Sequence, residues 1–76
     1  METERRDIVT NGKMLKEIAK ARHITLQELA NALGLTRQGL FKKIENRSEF
    51  RVSEVVKLSE ILELSEKQKK EIFFAL

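Results

Sequence analysis

Cysteine is absent from this sequence, which excludes both a disulfide framework and a thiolate zinc site as sources of stability. Proline is absent too, and glycine is confined to Gly12, Gly34 and Gly39, so little interrupts a regular backbone. The one histidine, His23, has no second histidine and no carboxylate pair at ligand spacing. It therefore reads as a connector residue, and neither a metal nor a cofactor is expected. No apolar run approaches the roughly 18 residues of a membrane span. The N-terminal stretch METERRDIVT is charged where a signal peptide needs its apolar segment. These absences point to a soluble protein of a reducing cytoplasm, with no membrane association. An enzyme is not expected either: no nucleophile stands at a recognisable spacing from a base, and no glycine loop could cradle a phosphate.

What is present suits helices. Leu, Ile, Lys, Glu and Ala recur at helical spacing along the 76 residues, giving an all-α composition and one small domain. The net charge of +3 is unevenly spread. Residues 1–35 hold six basic and five acidic side chains, residues 36–51 five and two, and residues 52–76 four and five. The excess cations therefore lie in one stretch, as a surface that displaces counterions from phosphates requires.

That stretch overlaps TLQELANALGLTRQGLFKKIEN, from Thr25 to Asn46. Thr25 followed by Glu28 is a capping box, which starts a helix at Leu26. Leu26, Leu29, Ala30 and Leu33 follow at helical spacing, and Gly34 sits where the chain must take a positive φ to leave the helix. Leu35 is expected to drop into the core. Thr36 caps a second helix that runs to about Glu45. So short a connection sets the two helices at a steep angle, forming a helix-turn-helix at about residues 25–46. With Leu40 and Ile44 marking the buried side of the second helix, Gln38, Lys42 and Glu45 point away from the core. Arg37 stands in the first turn, where a long side chain swings forward. Arginine and lysine suit guanine acceptors and glutamine suits adenine, so Arg37, Gln38 and Lys42 are the expected base contacts. Lys43, on the flank, is aimed at phosphate. Gly39 costs roughly 1 kcal/mol relative to alanine in a helix interior, which suggests close approach to DNA or to a neighbouring helix.

Around this pair, residues 1–10 show no clear period and are expected to form a flexible arm, with residues 11–76 a single domain. Met14, Leu15, Ile18 and Ala19, opposite Lys13, Lys16, Lys20 and Arg22, make an amphipathic helix from Asn11 or Gly12 to Arg22. The segment ENRSEFR breaks the period as a loop. In it Asn46, Arg47 and Ser48 are placed to donate to phosphates, and Phe50 to anchor in the core. Ser53 is expected to cap a further helix, and Ser65 with Gln68 another capping box, whose helix runs from Glu66 towards the C-terminus. Ile72, Phe73, Phe74 and Leu76 cannot all face one way on a helix. The tail either closes over the first helix or leaves Phe73, Phe74 and Leu76 for a partner such as a second copy.

The run LQELANALGLTRQGLFKKIEN, with LKEIAKARHIT before it, resembles the lambda-repressor-like helix-turn-helix family of phage and bacterial regulators over residues 12–64. Glu28 to Ala30, Leu33 to Gln38, and Glu45 with Asn46 carry the likeness. The later stretch FRVSEVVKLSEILELSEKQKKEIFF resembles a phage-associated subset of small regulators. The resemblance implies a five-helix all-α fold, a double-stranded DNA operator as partner, and the cytoplasm of a bacterial host. It also implies a phosphate contact from Thr36. A glutamine common in the family at the first position of the second helix is Leu26 here, so its phosphate contact either passes to Gln27 or is lost. The expected function is a sequence-specific, Cro-like or small repressor protein. The alternative is an antirepressor that holds another repressor protein through its C-terminal apolar tail.

Overall fold

The computed structural model describes residues 8–75. Five helices follow one another: α1 (Gly12–Ala21), α2 (Leu26–Leu33), α3 (Arg37–Ile44), α4 (Val52–Ile61) and α5 (Glu66–Ile72). Two short strands, β1 (Ile8–Thr10) and β2 (Phe73–Ala75), flank them. The all-α expectation holds for the body of the molecule. Among the described residues, no helix is long and apolar enough to cross a membrane.

Each helix starts where a local acceptor meets its free N–H groups. Asn11 accepts from the Met14 N–H at 3.2 Å. The Thr25 hydroxyl accepts from the Glu28 N–H at 3.0 Å while the Glu28 carboxylate takes the Thr25 N–H at 2.8 Å. Ser65 and Gln68 repeat this reciprocal pair at α5. For α4, however, Ser53 is not the cap. The Glu54 carboxylate accepts the Arg51 N–H at 2.8 Å, so Arg51 takes the cap position and the helix begins at Val52, two residues earlier than a Ser53 cap would start it.

Four helices end in the same way. The residues after α1, α2, α3 and α4, namely His23, Gly34, Asn46 and Glu63, have φ of 60°, 71°, 65° and 52°. The next amide in each case reaches back across the last turn, as in Ile24 N–H to Ala19 C=O at 2.9 Å and Leu35 N–H to Ala30 C=O at 2.8 Å. This is the Schellman arrangement. The apolar residues Ile24, Leu35 and Leu64 that follow then fold back against the core.

That core gathers Leu15 and Ala19 of α1, Leu29 and Ala30 of α2, Leu40 and Ile44 of α3, Phe50 of the loop, Leu58 and Leu62 from α4 and its cap, and Ile72 of α5. Phe50, 3% exposed, anchors the loop as its spacing suggested.

Two expectations change at the ends of the chain. Residues 8–10 form a strand and not part of an arm; residues 1–7 of the expected arm lie outside the described residues. The last helix stops at Ile72, and β2 pairs antiparallel with β1 in the register Ile8 with Ala75, Val9 with Phe74 and Thr10 with Phe73. The physical reason lies in the two adjacent phenylalanines. A helix would set them about 100° apart, whereas a strand sends them to opposite faces. Phe73 turns in, edge-on to Phe50 with ring centroids 5.6 Å apart, and Phe74 turns out, 41% exposed.

Candidate nucleic-acid interface

The face that matters is the outward side of α3. Thr36 sets its first turn, accepting from the Gly39 N–H at 2.9 Å through its hydroxyl oxygen, and the hydroxyl proton stays available for an outside acceptor. Leu40 and Ile44, 1% and 3% exposed, hold the opposite side in the core. Arg37, Gln38 and Lys42 are all exposed. Gln38 and Lys42 make no hydrogen bond or ion pair among the described residues. The Arg37 guanidinium lies over the Phe41 ring, 5.6 Å from its centroid, so it is braced against an apolar plate while its donors face solvent. Gln38, Phe41, Lys42, Glu45 and Arg47 line one open depression. Phe41 is partly buried there.

At Gly39 the room for a side chain is set from within the helix. A β-carbon there would meet the Thr36 hydroxyl oxygen at 3.1 Å and no neighbouring helix. Crowding by another helix is therefore not the reason for glycine; the close approach of the N-cap hydroxyl is the constraint present.

Around the helix, the residues expected at phosphates divide. Gln27 is exposed on α2, its amide nitrogen donating to the Asn31 oxygen at 3.0 Å. Ser48 is exposed in the loop. Arg47 is exposed and paired with Glu45 at 2.7 Å, an ion pair worth little at such exposure and readily exchanged.

Lys43 and Asn46 have other duties. The Lys43 ammonium donates to the Glu49 carbonyl at 2.8 Å and pairs with the Glu54 carboxylate at 3.1 Å. It also stands 5.9 Å from the centre of the Phe50 ring. Only 12% of its side chain and 11% of that of Glu54 are exposed, so its charge is spent holding the loop to α4. The Asn46 side chain is bound on both sides to the backbone of Thr10. Spacing places Lys43 on the flank of α3 and Asn46 in the loop after it, but it does not show that a carboxylate from the next helix and the strand β1 arrive there first. Phe73 is likewise occupied by Phe50. Leu76, expected beside it at a partner surface, lies outside the described residues.

Sequence reasoning also missed Gly12. A β-carbon there would stand 2.6 Å from the Ile44 carbonyl oxygen and 2.7 Å from its side chain, so the first turn of α1 presses directly on the last turn of α3. An early glycine in an amphipathic helix was the available signal.

A capped helix, a turn through a left-handed glycine, and a second capped helix with cationic and amide side chains outward form the geometry that presents a helix to a duplex. No curated protein matches the chain. The helix-turn-helix family model matches residues 15–68, most of the chain and all of this unit. The chain belongs to the helix-turn-helix family, of the lambda-repressor-like type, and is a DNA-binding regulator.

Proposed function

We propose that this protein is a sequence-specific transcriptional regulator, a small repressor of Cro-like type, that inserts α3 in the major groove. Arg37, Gln38 and Lys42 read base edges. Thr36, Gln27, Arg47 and Ser48 hold the phosphates on either side. One observation carries the reading: Gln38 and Lys42 stand fully outward with no partner among the described residues, on a helix whose other side is sealed in the core. Exposed amide and ammonium groups aligned on a rigid rod are what base-edge recognition requires.

The test begins with selection of duplexes from a randomised pool, followed by gel shift of the selected site and of a random duplex. Gln38→Ala should cost roughly 1–3 kcal/mol on the selected site and far less on random DNA. Equal losses on both would demote Gln38 to a backbone contact, and indifference of the unaltered protein to every duplex at low salt would end the reading. An antirepressor would behave in that second way. The inward turn of Phe73 weighs against it, because it removes one of the apolar side chains such a tail would offer.

A second copy is the partner proposed for the protein when it is bound. Phe74 on the outer face of the ribbon supports this, since a pair of subunits would cover the ring and match a two-fold DNA site.

A further inference from the structure

Asn46 does two things at once. Its backbone, at φ 65°, ends α3. Its side chain reaches a residue 36 positions earlier: the Thr10 N–H donates to Oδ1 at 2.7 Å, and Nδ2 donates to the Thr10 carbonyl at 2.9 Å. The Asn11 N–H, next along, donates to the Ile72 carbonyl at 2.7 Å. In an antiparallel ladder successive residues face opposite edges, so the Thr10 groups point away from β2. Asn46 fills that edge as a third strand would. Thr10 is 4% exposed while Asn46 itself is exposed, so the two bonds are buried on the Thr10 side only.

The chemistry is selective for asparagine. Of the side chains that enter the left-handed region readily, asparagine alone offers both a donor and an acceptor on a peptide-like amide. Aspartate lacks the donor and glycine lacks both groups. Beside this clamp, Gly12 lies against Ile44 with no room for a β-carbon. Residues 10–12 thus grip the carboxyl end of α3, while the turn at Gly34 and Thr36 holds its amino end. A rod fixed at one end swings, whereas a rod fixed at both ends keeps its aim, and base-edge contacts tolerate little misaim.

We infer that Asn46 is a positioning residue for DNA recognition, tying the carboxyl end of α3 to the terminal ribbon and so setting the angle at which Arg37, Gln38 and Lys42 meet the duplex. This rests on the reading that α3 enters the groove.

Two substitutions test it. Asn46→Gly keeps the left-handed turn and removes the clamp. Asn46→Asp keeps the size and the acceptor for the Thr10 N–H, but sets a carboxylate oxygen against the Thr10 carbonyl. Both variants are compared with Ile61→Ala, a destabilised control altered in the crevice between α1 and the end of α4. Residual dipolar couplings of the α3 amides in the free protein report its orientation relative to α1 and α4. Gel shift gives the ratio of affinities for the selected site and a random duplex. The expected result is reoriented α3 couplings in both Asn46 variants. The site-to-random ratio should fall roughly tenfold, the loss of one good base contact, with random-duplex affinity nearly constant and the ratio unchanged in Ile61→Ala. Unaltered couplings, or an equal fall in the ratio for Ile61→Ala, would overturn the inference and leave Asn46 a helix terminator only. Absence of any site preference in the unaltered protein would instead overturn the groove reading, and the couplings would still decide whether Asn46 sets the aim of α3.

Discussion

His23 and Glu63 occupy left-handed positions that cost a side chain roughly 1–2 kcal/mol relative to the right-handed region. The sequence announces such a position at Gly34 and conceals it at these two. What forces them is the residue after each, Ile24 and Leu64, whose burial is reached only if the chain reverses. An apolar residue directly behind the last helical turn was thus the legible sign, and glycine was not required. His23→Gly should raise stability by about 1 kcal/mol after allowing for the larger entropy glycine loses on folding, seen as a melting temperature higher by roughly 4–8 °C in a protein of this size. Glu63 differs because its carboxylate meets Arg22 at 3.3 Å, so the same substitution there gives up a contact between two helix ends. Lys43 belongs to the residue scale as well. Removing a nearly buried ion-pair partner strands the other charge, so Lys43→Ala should destabilise the fold by about 3 kcal/mol and leave the dependence of DNA binding on salt unchanged. Arg47→Ala should do the reverse, flattening the log–log salt slope by about one ion with little effect on melting.

At the scale of elements, α2, the turn and α3 were legible because their determinants are local. A hydroxyl starts each helix, joined at α2 by a carboxylate three residues on and a glycine at the end, and these specify the boundaries without reference to the rest of the chain. The ribbon was not legible, for the opposite reason. Its strands are three residues each, too short to show alternation, and each is stable only beside the other, with Phe73 on Phe50 and Thr10 on Asn46. The contact between α1 and α3 has the same non-local origin. A β-carbon at Gly12 must displace the Ile44 backbone, and such overpacking costs about 1–3 kcal/mol. Gly12→Ala should therefore lower the midpoint of denaturant unfolding despite alanine being the better helix former. A midpoint that rises would mean α1 slides away freely.

The whole molecule spans 42 × 27 × 20 Å, and with α3 as the proposed reading helix one copy fits one half of a two-fold site. The clustering of charge in residues 36–51 was visible from the sequence, but its effective size was not. Lys43 is neutralised inside and Arg47 leans on Glu45, which leaves Arg37, Lys42 and Arg51 as the cations of that stretch without a carboxylate partner among the described residues. So small a cationic surface gains from a second copy. If Phe74 joins two copies, sedimentation on a duplex bearing two selected half-sites should give a two-protein complex that Phe74→Ser splits into independent, weaker binding. Unchanged cooperativity in that variant would place the contact elsewhere.

Pairing Ile8 with Ala75 places both ends of the described fold at the same mouth of the ribbon. Tension applied between them loads one rung after another, as when a zip is opened from its tab, and not all rungs together in shear. The helices feel nothing until the last rung parts. What lies just behind that rung is the amide of Asn46, so the first mechanical event to reach the helices is the loosening of its grip on the helix proposed to enter the groove.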